Sequence, residues 1–207
     1  EQAKTRAVVA PLFEHGEGRG AAGCVVVSPP VFLSEEEALQ VIKEELAKHG
    51  IELGKRQPLP GVTAGPVAEP SDWTGRQEGV QGTPKPVSVD GVDSAKKVAV
   101  EYVSTKDLRA FAGETKSVST VSVYDTKGLA KTLVEAIGKQ AKEPLYVGVF
   151  YDPLTSLRLS AAEDPSEEKD WKRRFERAES KSQEQSKALL RQQVEDFVAW
   201  LKQKQAD

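Results

Sequence analysis

Residues 145–153 read LYVGVFYDP, and this stretch decides the fold. Leu145 to Tyr151 is apolar at odd and even positions alike. Successive strand residues point to opposite faces, so such a run fits a central strand covered on both sides. Asp152-Pro153 ends it, because proline cannot donate to the ladder. A second run of the same kind, Cys24-Val25-Val26-Val27, is stopped by Ser28-Pro29-Pro30, and it predicts a second central strand. Arg6 to Phe13 (RAVVAPLF) reads as a short strand ending near Pro11. The stretch between these two, His15 to Gly23 (HGEGRGAAG), reads as a strand-to-strand connection.

Helical segments alternate with these strands. Ser34 and Glu37 form a capping box, Glu35, Glu36 and Glu37 suit the positive end of a helix dipole, and Gly50 suits the C′ position. A helix over about 34–49 follows, with Ala38, Leu39, Val41, Ile42, Leu46 and Ala47 at helical spacing. Val87, Val89 and then Val98, Val100, Tyr102 alternate with polar residues around Asp90-Gly91 and Asp93-Ser94, the pattern of a hairpin. A short helix capped by Ser104 or Thr105 runs to about Ala112. Val118, Val121 and Val123 mark a strand, and Asp125 caps a helix carrying Leu129, Leu133, Val134 and Ile137. The alternation predicts an α/β to α+β fold: one mixed β-sheet, two or three packed helices and a long C-terminal helical extension.

Two segments depart from that pattern. Residues 54–86 hold six Pro and six Gly among 33 residues and show no apolar period, so they read as a long loop or linker. From Asp164-Pro165-Ser166-Glu167 onward the chain reads as an N-cap followed by helix. Trp171, Phe175 and Ala178 step by helical spacing, as do Leu190, Val194, Phe197 and Leu201. Between them Ser180 to Ser186 (SKSQEQS) supplies no apolar anchor. A continuous helix of about 40 residues would span about 60 Å, so the sequence predicts either a break near Ser182 or a projection beyond the core. The expected organisation is therefore 1–53 and 87–162 as two parts of one α/β domain, 54–86 as the linker, and 163–207 as the extension.

Composition excludes several classes. The net charge is −3 and the pI about 5.6, which gives no general reason to bind nucleic acid. Basic and acidic residues also balance along the C-terminal helix. No run of 18 apolar residues exists to cross a membrane as a helix. One Cys excludes an internal disulfide framework and a Cys-rich zinc site. The chain contains no Met and begins at Glu1, which points to an exported protein whose signal peptide has been removed, of bacterial type and periplasmic, secreted or in the cell envelope. A cytoplasmic setting is the alternative.

Chemistry-bearing residues are few. The glycines around Glu17 and Arg19 could admit an anion, but nucleotide glycine loops follow a strand and open onto a helix, whereas this one precedes a strand. Cys24 with His15 or His49 could form a thiol–base pair, though a Cys opening an apolar strand is usually buried. Glu14-His15-x-Glu17 and the acids Asp90, Asp93, Asp107, Asp125 and Asp152 could contribute metal ligands, yet each aspartate sits where a turn or cap residue belongs. No metal and no cofactor are expected. Trp73 reads as an anchor of the Pro/Gly-rich stretch or as a ligand contact. Phe197 and Leu201 form an apolar helix face that packs on the same chain or on another copy.

No motif names a reaction. The residues thus predict a non-enzymatic, soluble module that binds a protein or small ligand. The surfaces singled out are Glu17 with Arg19, Trp73, and the face with Phe197 and Leu201. One rival is a hydrolase or transferase using Cys24 or a carboxylate cluster near His15. The other is a structural protein assembling as a homo-oligomer through its C-terminal helix.

Overall fold

A computed structural model describes residues 6–23, 26, 28–67, 82–113, 121–159 and 170–206. The central pair of strands is β6 (Val98–Val103) and β8 (Tyr146–Tyr151), parallel and in register from Val98–Tyr146 to Val103–Tyr151. β1 (Val8–Val9) adds to β8 in parallel, and β5 (Gly91–Asp93) adds to β6 antiparallel. The result is a mixed four-stranded sheet in the order β1-β8-β6-β5.

Both faces of this sheet are covered, as the two-sided apolar run requires. Val98, Val100, Tyr102, Tyr146 and Phe150 face α1 (Glu35–Ala47) and α4 (Trp171–Ala206). Ala99, Val103, Val147, Val149 and Tyr151 face α3 (Thr126–Gln140) and a hairpin of β3 (Gln57–Ala64) with β4 (Lys85–Val89). The parallel β6–β8 connection runs through α2 (Thr105–Phe111), β7 (Val121–Asp125) and α3. Helix starts follow local sequence: Ser34 and Glu37, and Ser104 and Asp107, form capping boxes, and the Asp125 side chain accepts from Gly128 N–H.

Four expectations are corrected. No strand runs through Val26, which is partly buried; Cys24, Val25 and Val27 lie outside the described residues. The strand in that region is β2 (Arg19–Gly23), antiparallel to β7. Backbone ladder bonds hold this outlying ribbon, so it needs no bulky apolar side chains. Second, the predicted 54–86 linker contains β3. Its buried residues Leu59, Val62 and Ala64 are spaced unevenly because the register shifts between Pro58 and Thr63, and that irregularity breaks the period-two signal. Third, the hairpin partner of β6 is β5, while Val87 and Val89 belong to β4 and pair through β3.

Fourth, α4 runs as one helix through Ser182, about 54 Å long, so of the two alternatives the break is not taken, and its middle is not without an anchor. The polar middle is an anchor after all. Ser182 and Ser186 are buried, and their hydroxyls reach Ser156 O at 3.2 Å and Thr155 Oγ1 at 2.8 Å. Small side chains let the helix lie close to the 155–157 segment, and the hydroxyls satisfy polar groups there. Farther along, buried Gln193 accepts from Tyr151 N–H (3.1 Å) and donates to Tyr151 O (3.1 Å) and His15 O (3.0 Å). It continues the ladder along the edge of β8 that two-residue β1 leaves open.

Phe197 seats over Gly148, where an added Cβ would meet Phe197 Cε2 at 2.9 Å and Phe150 Cζ at 3.1 Å. Gly148→Ala should therefore destabilise the fold by about 1–3 kcal/mol. Urea denaturation should show this as a lower midpoint, and Phe197→Leu in the same chain should recover part of it. An additive double variant would contradict the packing described.

Candidate functional site

The Gly-rich stretch is built into the fold. Gly18 has φ +58, and a Cβ there would meet the Tyr151 ring at 2.6 Å. Thr126 Oγ1 donates to Gly18 O (3.1 Å) and is also bonded to Asp152 O (2.7 Å), and Tyr151 Oη donates to Gly16 O (2.9 Å). The stretch is thus pinned over the end of β8. His15 Nε2 lies 2.7 Å from Asp196 Oδ2 on α4, and Glu14 pairs with Lys131 (2.7 Å) and Lys127 (3.5 Å). The hydrogen bond from Lys131 holds the Glu14 carboxyl below its ordinary range, helped by the Lys127 charge. Glu17 and Arg19 are exposed. Among the described residues, His15 and Glu14 engage separate partners. Cys24 and Trp73 lie outside the described residues. Phe197 and Leu201 are buried against the sheet of the same chain, which leaves them no free surface.

The unusual chemistry lies instead at the carboxyl ends of the parallel strands. The chain leaves β8 for α4 on one face and leaves β6 for α2 on the other. In open α/β sheets, a reversal of this kind opens the crevice where ligands collect.

Asp152 follows β8 and is fully buried. Its two oxygens accept from Leu33 N–H (2.9 Å) and Leu154 N–H (3.0 Å). The second bond is an Asx turn that holds Leu154 at φ +51, a conformation that L-residues rarely adopt. Burial pushes the Asp152 carboxyl up to about 6, against the pull of the two N–H donors.

On the other edge of β6, β5 stops short, and the Asp90 carboxylate takes over by accepting Tyr102 N–H at 2.9 Å. Asp107 accepts from Ser104 N–H (2.8 Å) and Oγ (2.7 Å). Glu101 lies within reach of the charges of both acids. It is 2% exposed, and its Oε2 has no hydrogen-bond partner among the described residues. Burial, then the charges of Asp90 and Asp107, push its carboxyl well above the usual range. The buried Tyr102 hydroxyl also has no partner among the described residues.

Over this group stands Arg56, half exposed, 3.8 Å from Glu35 and 3.9 Å from Asp90. Glu35 also binds Lys106 at 2.8 Å. An open groove of about 570 Å³ runs from Glu35 and Lys106 along α1 past Leu39 and Lys43. Among the described residues no three His, Cys, Asp or Glu side chains are arranged to hold a metal ion.

Asp107 and Asp152 do cap and turn work, as their positions imply. Glu101 was not singled out by the sequence, because it stands at a polar position of an alternating strand. Only coverage of both faces of β6 makes it unusual. No family model matches the chain, and no curated protein or solved structure shows significant similarity to it.

The pH dependence follows from these carboxyls. A carboxyl raised in the folded state binds more protons folded than unfolded, so its stability contribution falls as pH rises between the two pKa values. For Asp152 that window runs from about 4 to about 6 and is worth about 3 kcal/mol. Glu101→Gln should raise stability at pH 8 relative to the native chain and leave it little changed at pH 4. Asp152→Asn should lose stability at both, by about 1–3 kcal/mol, because an amide cannot accept from both backbone N–H groups at once. Denaturation midpoints at the two pH values measure this. A Glu101→Gln midpoint that falls at pH 8 contradicts the burial described.

Proposed function

We propose that the chain is a non-enzymatic binding module that receives a ligand at the carboxyl end of β6, beside Arg56 and the groove along α1. The observation that carries this reading is Glu101, a nine-tenths-buried carboxyl whose Oε2 has no partner among the described residues. A buried polar atom left unpaired costs about 1–3 kcal/mol, and titratable groups in such settings cluster at functional sites. The rival enzyme reading draws less support: His15 is bonded to Asp196 and Glu14 to two lysines, which assembles no nucleophile with a base among the described residues. A methionine-free chain with one cysteine favours an exported setting.

Titration of isotope-labelled protein with a fragment library, read by amide chemical shifts, tests the location. Binders should move the amides of Tyr102, Ser104 and Asp107. Binders that collect at the β2–β7 ribbon instead overturn it.

A second reading, self-assembly through α4, draws on the start of that helix. Trp171 is 59% exposed and Phe175 37%. Both continue the stripe that docks Ala178, Leu190 and Phe197 onto the domain. Light scattering should then give a multiple of the 22.5 kDa chain mass, reduced to one chain in a Trp171→Ser, Phe175→Ser variant. A monomer in the unaltered protein removes this reading.

A further inference from the structure

We propose that the site at the carboxyl end of β6 is specific for a ligand carrying a guanidinium or protonated amine, held between Glu35, Asp90, Glu101 and Asp107. This rests on that end of β6 being the binding site and adds the class of ligand.

Three observations converge. The four carboxyl groups belong to α1, the β4–β5 turn, β6 and α2, so the tertiary fold gathers them from four places. The charges near them are Arg56 and Lys106, both largely exposed at 55% and 74%, and neither bonds to Glu101 Oε2. Glu101 Oε2 is therefore left unfilled within reach of the charges of Asp90, Asp107 and Glu35, acids that already attract Arg56 and Lys106.

Arg56 shows what kind of group the outer layer attracts. Its guanidinium bridges Glu35 and Asp90 at 3.8 and 3.9 Å, within ion-pair range and beyond hydrogen-bond contact. A side chain so loosely held can swing aside at small cost. The two carboxylates it bridges, Glu35 and Asp90, are then open to another donor, with Lys106 still bound to Glu35. A planar donor group with several N–H bonds suits such a set, because each hydrogen bond to a charged acceptor is among the stronger kinds. A bare divalent ion suits it less, since no three of these acids stand close enough together to cage one. The groove past Leu39 and Lys43 would take the remainder of the ligand, with its apolar part against Leu39.

Titration of the full chain with methylguanidine, n-butylamine, sodium acetate and calcium chloride, each alone, tests the inference by amide shifts. Methylguanidine or butylamine should move Tyr102, Asp90 and Ser104. Arg56→Ala, which removes the resident guanidinium, should tighten that binding about fivefold or more, and Glu101→Gln should weaken it about tenfold. Glu101→Gln keeps the shape of a buried side chain and Arg56 is half exposed, and circular dichroism should show both variants folded.

Shifts of the same amides by acetate or calcium in place of the two cations would leave the location standing and overturn the ligand class. Silence of these amides toward all four probes, with library binders found elsewhere, would remove location and class together. Unchanged affinity in both variants would also overturn the class.

Discussion

The parallel ladder between β6 and β8 is the constraint on which the rest of the molecule depends. Six register pairs, from Val98–Tyr146 to Val103–Tyr151, are buried on both faces. Parallel strands cannot be joined by a tight turn, so the chain between them must cross a face of the sheet. It does so through α2, β7 and α3, which bury one side. The opposite side must then be covered by other elements, and α1 and α4 supply that cover. Gly148 is the point where the two demands meet, because its missing side chain is the space that Phe197 fills.

Where the ladder ends, backbone groups still need partners, and polar side chains supply them. Asp90 replaces the missing end of β5 along β6, Asp152 ties the turn after β8 to the start of the α1 segment, and Gln193 serves the edge of β8 that β1 does not reach. Each of these groups is buried and each is satisfied. Glu101 differs from them: it shares their burial and their negative surroundings but lacks a donor. That contrast within one end of one sheet separates acids that complete the backbone hydrogen bonding from one that does not.

Local signals were legible wherever the controlling interaction is local. Ser34 with Glu37, Ser104 with the turn after it, and Asp125 stood out because a cap lies within three residues of what it caps. The two-faced run at 145–151 was legible because no arrangement can leave it half exposed. The same rule failed at Val26, which lies in no strand. It failed again at β3, where an irregular register hid Leu59, Val62 and Ala64 from any period. The serine-rich middle of α4 read as unanchored because hydroxyl anchoring depends on which groups stand opposite, here Thr155 and Ser156.

The sequence by itself determined the helices, the central β8 strand, the mixed-sheet class and the lack of a recognisable catalytic motif. Those properties follow from periodicity and capping, which act within a few residues. Only the tertiary structure decided that β6 is covered on both faces, that α4 runs unbroken, and that Glu35, Arg56, Asp90, Glu101 and Asp107 meet at one end of the sheet. Electrostatic environment and hydrogen-bond satisfaction are set by neighbours distant in the chain, and no local pattern encodes them.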